Sequence, residues 1–404
     1  MSWSVDPAPI GSGIGLPRPR LDDGRGRTVL IWSVVLLAVV GLVGVVWLAA
    51  RAGDFGGAAA ALILAGIPVP FLLAAYLWLD RYEPEPTRFV AAALLWGAVI
   101  STFGAGLVQE LLAVSADPPE WVAVVVVAPV FEELLKGTLV VLVLVRRRKV
   151  SRLLDGFVYA GLVGVGFAFT ENVLYISGAY AGLLVPEFDG PQAASTVFAL
   201  RGLMSPFAHP LFTTAIGIGM AVAVVTSRRW LRYLAPPAGY AVAVGLHATW
   251  NGSTMLWQGL GFLLTYAVFM VPLFAVAVYV AMRALRAEAA VIRAALMDAA
   301  SRGWLNPAEV HWLVNYGDRA AARRFASQVA GRPAGKALHA YQRAATEMAL
   351  MHDRVLRGRA PEDGPARVEA HLRRMHSWRP FLVMPPPNDL PRRLQPAGGQ
   401  PPAR

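Results

Sequence analysis

Apolar residues fall in long blocks separated by short polar segments. Blocks at 28–50, 55–79, 89–114, 121–145, 156–180, 198–225, 238–260 and 262–282 each reach the roughly 20 residues that a helix needs to cross a bilayer. The pattern predicts an all-α polytopic fold of about eight transmembrane helices. The first block exceeds the apolar core of a cleavable signal peptide and is read as a retained span. Pro68 and Pro70 should kink the second. The last two blocks nearly touch and must form an antiparallel hairpin.

Orientation follows from where Lys and Arg fall between the blocks. Four precede the first block (Arg18, Arg20, Arg25, Arg27), two lie in 80–88, five in 146–155 and three in 226–237, whereas the loops on the other side carry only Arg51. Both termini are therefore placed in the cytoplasm. Residues 1–27 read as a disordered cytoplasmic segment and 28–283 as the transmembrane domain. After 282 the period becomes amphipathic and Ala/Arg-rich over 285–301, 307–329, 333–356 and 364–377, each stretch ended by Gly or Pro, as helix stop signals require. Residues 284–384 are expected to form a helical cytoplasmic region and 385–404 a disordered Pro-rich tail.

Composition agrees with a multi-pass protein of the cell membrane. Hydrophobic residues make up 56% of the 404 and charged ones 16%, below the roughly 25% of soluble domains. The absence of cysteine excludes disulfides, thiolate metal ligands and a cysteine nucleophile. The net charge of +11 resides mainly beyond residue 284, where 19 Lys and Arg face 10 Asp and Glu. No basic stripe with interleaved aromatics accompanies it, so nucleic acid is not a predicted partner.

The fourth block breaks its own pattern with Glu132, Glu133 and Lys136 near its middle. A charged side chain at that depth costs about 2.5–3.5 kcal/mol on insertion scales, so an intramembrane cluster is a functional-site hypothesis by default. Glu133 lies about 18 Å from the cytoplasmic end of its helix at 1.5 Å per residue. Glu171, His209, His247 and Asn251 fall at similar depth on the next three helices. Lys136 can reach either glutamate, and His247 and Asn251 share a helix face. Such a set suits either an enzyme or a proton- or cation-coupled transporter.

Glu132-Glu133-x-x-Lys136, Phe167-x-x-x-Glu171-Asn172, Phe207-x-His209-Pro210 and His247-x-x-x-Asn251, in this order on successive helices, resemble the motifs of PrsW-type intramembrane metalloproteases. Residues 80–86, Asp-Arg-Tyr-Glu-Pro-Glu-Pro, resemble that family's connecting segment. The family belongs to the wider clan of CAAX prenyl endopeptidases and bacteriocin-processing enzymes. The resemblance covers about residues 80–251. It implies hydrolysis of a membrane-embedded protein substrate within the lipid bilayer, as in regulated proteolysis for signalling, with Glu132, Glu133 and His247 essential. Glu171 stands where many prenyl endopeptidases have histidine, and His209 is an additional candidate.

Under that resemblance, water is the nucleophile. In one reading Glu171, His209 and His247 hold a divalent ion, zinc by the chemistry of two nitrogens and one oxygen with a position left for water. Glu133 or Glu132 is then general base, with Lys136 beside it and Asn251 donating to the oxyanion. In a second, metal-free reading, a glutamate activates water directly while His247 and Asn251 stabilise the oxyanion. Transport through the same Glu/His/Lys cluster is the alternative from another class. No sequence feature sets an oligomeric state.

Overall fold

The computed structural model describes residues 55–147, 152–184 and 188–385. The predicted first span at 28–50, the segment 1–27 and residues 386–404 lie outside them. Among the described residues helices are the sole regular structure, with no strand. Among the described residues, five helices are long and apolar enough to cross a membrane: α1 (Gly56–Leu79), α2 (Thr87–Ala116), α4 (Leu153–Tyr180), α5 (Gly190–Val225) and α7 (Leu260–Ser301). Between them run α3 (Ala128–Arg147) and α6 (Arg229–Thr254), which carry most of the polar residues singled out above.

α4 is the central helix. Every residue from 154 to 168 is buried, as expected for a helix enclosed on all sides. It packs against α1, α2, α3 and α5. The approach of α5 depends on glycine. A Cβ on Gly156 would lie 2.1 Å from the carbonyl oxygen of Gly217, and one on Gly164 would lie 2.5 Å from Cα of Pro210 and 2.8 Å from the carbonyl oxygen of His209. Backbone cannot yield at those distances, so the α4–α5 contact exists only because these side chains are missing, a common device where helices pack in membranes.

Several boundaries differ from the apolar blocks. α1 is interrupted at 67–68 and resumes at Val69 with proline in its first turn, where proline's missing N–H is least costly. α5 starts at Gly190 and α6 at Arg229, each ahead of its apolar block, because a helix continues into polar residues that hydropathy does not mark. Pro236 and Pro237 lie inside α6 without ending it. The α6–α7 hairpin turns at 255–259, with Trp257 and Gly259 at positive φ. α7 passes through 283–284 without a break, so the membrane domain and the tail share one helix.

The tail continues with α8 (His311–Val314), α9 (Tyr316–Leu356) and α10 (Gly364–Trp378). Within α9 the chain bends at Ala330 and Gly331, where Gly331 takes φ of 80°. Leu285, Ile292, Leu296, Leu313 and Leu338 share one buried core with Tyr76, Tyr82 and Phe157. Above it, Arg152 lies 3.6 Å from Asp80, 3.4 Å from Glu83 and 2.7 Å from Asp155, and also pairs with Glu288. One guanidinium thus joins the loop before α2, the start of α4 and the tail-side part of α7.

Candidate active site

α3 carries Glu132, Glu133 and Lys136 on neighbouring positions of one face. A π-type turn at Ala123–Val127 precedes it, and Trp96, itself in a π-type stretch of α2, donates its indole N–H to the carbonyl of Leu135 (3.0 Å). π-type turns inside helices often accompany functional sites.

Glu133 and Lys136 are 0% exposed. Lys136 Nζ lies 2.9 Å from Glu133 Oε1 and 3.4 Å from Glu132 Oε2, and 3.5 Å above the Phe167 ring. It is also 3.2 Å from His209 Nδ1. An ammonium only donates, so Nδ1 accepts and the proton of a neutral His209 resides on Nε2. That nitrogen is 2.6 Å from Glu171 Oε2. The two contacts select the same tautomer.

His247 is held in the same fashion with its nitrogens exchanged. Its Nδ1 lies 3.0 Å from Glu133 Oε1, while Nε2 is 3.7 Å from Glu132 Oε2, beyond hydrogen-bond range. Phe212 stacks on its ring at 5.2 Å between centroids. Glu133 also accepts from Thr213 Oγ1 (3.0 Å). Glu133 is therefore bound on three sides, whereas Glu132 has only the long contacts to Lys136 and to Gln109 Nε2, both 3.4 Å.

All six ionisable residues singled out in the sequence thus meet in one buried cluster, and each imidazole has a carboxylate behind it. Glu132, His209 and His247 offer ligand atoms lying within 4.8 Å of one another. Glu171, expected to be the oxygen ligand, instead has its carboxylate between His209 Nε2 and Arg201. Glu132 completes the group in its place, because α4 presents Glu171 to the far side of the His209 ring. Asn251 is one turn from His247 and donates its amide to the Val124 carbonyl (3.1 Å), tying α6 to the turn before α3.

Residues 85–277 match the family model of the PrsW family intramembrane metalloproteases. The protease PrsW of Geobacillus kaustophilus (strain HTA426) is 30% identical over 184 residues, which cover 43% of this chain and 74% of that protein. The chain belongs to the PrsW family. It is accordingly a hydrolase of the peptidase class and a membrane protein. Nothing in these similarities supports transport through the same cluster. No solved structure matches the chain. The PrsW match includes every site residue named above and ends inside α7, so the tail helices lie beyond it.

Three contributors escape the sequence reading. Thr213 lies four residues after His209 and so shares its face, a signal available from spacing. Arg201 is a lone cation within an apolar block, which marks it in the same way as Glu132 and Glu133. Gln109 carries no such signal, because a glutamine near a helix end is unremarkable without its partner.

Proposed function

We propose that this chain is an intramembrane endopeptidase of the cell membrane that hydrolyses a peptide bond of a membrane-embedded protein substrate with a glutamate-activated water. What supports this reading is the convergence of Glu132, His209 and His247 from three helices, buried and within 4.8 Å, in a chain of the PrsW family. The topology that goes with it has about eight spans and both termini in the cytoplasm. α3 and α6 count among the spans, their polar groups turned toward the cluster rather than toward lipid.

The donor set fits a divalent ion. Two imidazole nitrogens and one carboxylate, with carboxylates behind both rings, are the usual composition and second layer of a catalytic zinc site. Glu132, His209 Nδ1 and His247 Nε2 would hold the ion, which when bound supplies a Lewis acid that makes water acidic enough to attack near neutral pH. Glu133 fixes the His247 ring and Glu171 fixes the His209 ring. Glu132, the loosely held carboxylate, faces the reacting water. A proton accepted there is delivered by Glu132 itself to the leaving amine, and the Lys136 ammonium, 3.4 Å away, stabilises the carboxylate before and after that transfer. Asn251 keeps a second amide hydrogen for the oxyanion.

One observation favours a metal-free variant of the same chemistry. Lys136 Nζ already contacts Glu132 and His209 Nδ1, two of the three prospective ligands, and supplies the positive charge an oxyanion needs. In that variant Glu132 activates water alone, and Lys136 and Asn251 stabilise the intermediate.

The test compares membrane proteomes of cells carrying the wild type, Glu132→Gln or Glu133→Gln. A fragment present only with the wild type is expected, and identical proteomes would count against proteolysis. Activity of the purified protein after chelation then separates the two variants: loss of cleavage, restored by zinc, assigns the ion a role, and full retention assigns the work to Glu132 and Lys136.

A further inference from the structure

Among the five spans, α1 and α7 are the least enclosed by protein, and an apolar groove of about 230 Å³ runs between them. Trp78 and Leu79 line it on α1, and Val278 and Met282 on α7. Its floor is formed by α4 and α5, and the stacked rings of Phe207 and Phe274, 4.2 Å between centroids, stand in its deeper part. Phe274 lies eight residues before Met282, so the groove follows about 12 Å of helix at 1.5 Å per residue, close to half of a hydrocarbon core about 30 Å thick.

The tail-side mouth of the groove is basic. Val278, Met282 and Arg286 recur at intervals of four, so exposed Arg286 continues the α7 wall one turn beyond its apolar part. On the opposite wall Arg81 folds back onto Trp78: its guanidinium carbon lies 3.9 Å from the ring centroid and Nη1 donates to the Trp78 carbonyl (2.9 Å). Tyr316 of α9 stands on its other side at 5.3 Å. Arg81 Nε is buried without a hydrogen-bond partner. Among the described residues neither arginine has an ion pair, because the acids nearby are engaged elsewhere: Glu83 faces Arg152 and Arg354, and Glu288, whose charge acts on Arg81, is paired with Arg152.

We propose that this groove binds one anionic phospholipid of the tail-side leaflet, with an acyl chain between α1 and α7 and the phosphate held by Arg81 and Arg286. Guanidinium donors match phosphate oxygens, and a tryptophan at the end of an apolar span marks the headgroup level. One turn of a helix, about 10 Å across and 5.4 Å long, occupies about 420 Å³, so the groove takes a hydrocarbon chain rather than a transmembrane segment. A zwitterionic lipid carries its own ammonium beside the phosphate and has less to gain from two unpaired arginines. Through Arg81 and Tyr316 the bound lipid also touches the tail. The lipid site does not depend on the proteolytic reading.

The experiment titrates the full chain, purified in detergent, with dioleoylphosphatidylglycerol or dioleoylphosphatidylcholine and counts bound lipid by native mass spectrometry. The wild type should bind one phosphatidylglycerol about 25-fold more tightly than phosphatidylcholine, since each basic residue at an anionic headgroup is worth about fivefold. Arg81→Gln and Arg286→Gln should each weaken phosphatidylglycerol about fivefold, and the double variant should bind both lipids alike. Ala75→Phe, which fills the groove from α1, should weaken both lipids. Arg286→Gln changes an exposed side chain and keeps the test in force should Arg81→Gln fail to fold. Equal affinity of the wild type for the two lipids, or wild-type affinity in the folded arginine variants, would overturn the proposal. So would displacement of the lipid by inorganic phosphate at equal concentration, which assigns the arginines to a free anion. Unchanged lipid binding in Ala75→Phe overturns it as well, and a loss of reporter cleavage in that variant would then give the groove to the protein substrate.

Discussion

Lys136 Nζ lies 2.9 Å from Glu133 Oε1, and both side chains are wholly buried. They are three residues apart on one helix, so the contact lies within α3 and needs no other helix. Ordinarily such a pair would need little further explanation. Here Glu133 also receives His247 and Thr213, and Lys136 also reaches Glu132 and His209.

Removing one member of a buried ion pair leaves an uncompensated charge, which typically costs about 3–5 kcal/mol. Lys136→Met should therefore destabilise the protein by about that amount in detergent unfolding, and Glu133→Gln in the same chain should recover part of the loss. Equal, additive losses in the two single variants and the double would contradict the pairing.

Gly164 is where α4 touches the backbone that carries His209. Phe167 and Glu171 follow three and seven residues later on the same face of α4, so a side chain at 164 pushes His209 away from both. Gly164→Val should lower reporter cleavage on the order of 100-fold, the effect of misplacing a catalytic group by about 1 Å, while the chain remains folded and membrane-inserted. Wild-type cleavage would show that the α4–α5 approach does not set the site.

Ligands and the carboxylates behind them should respond differently to substitution. Glu132→Gln, His209→Ala and His247→Ala are expected to abolish stoichiometric zinc binding in the purified protein, whereas Glu171→Gln should weaken it by about 10- to 100-fold. The opposite order, with Glu171→Gln losing the ion and Glu132→Gln keeping it, would assign the oxygen ligand to Glu171.

A pH effect is expected away from the membrane, at the hub that docks the tail. Burial pushes the Asp80 carboxyl from its ordinary 3.8 up to about 7, against the lowering effects of the Glu85 N–H and Arg152, with Glu85 and Asp155 adding to the rise. The folded state thus holds this proton more tightly than the unfolded chain. Its contribution to stability is complete below about pH 4 and is lost as pH rises through about 7. Asp80→Asn removes the titration, so wild-type stability relative to Asp80→Asn should fall between about pH 4 and 7 and level off above that. Thermal unfolding at several pH values checks this, and a constant difference would show that Asp80 does not titrate there.

By itself the sequence determined a membrane-embedded, all-helical chain and the residues that break its apolar blocks. Both rest on local physics, since hydropathy accumulates along one helix and an ionisable group in such a run is costly wherever its neighbours are. The spacing of Glu132, Glu133 and Lys136 likewise foretells an interaction within one turn and a half. Only the tertiary structure decided which carboxylate serves which imidazole. Glu171 has the composition of a ligand, but α4 and α5 approach through Gly164 and Pro210, and that approach puts Glu171 behind the His209 ring, beside Arg201. Glu132 and Glu133 are adjacent in the chain, yet about 100° of helix rotation separates their directions. Glu133 meets Thr213 and His247 Nδ1, whereas Glu132 lies 3.7 Å from His247 Nε2 and has only the 3.4 Å contacts to Lys136 and Gln109. Distances between helices set by packing, rather than any local pattern, fix those contacts.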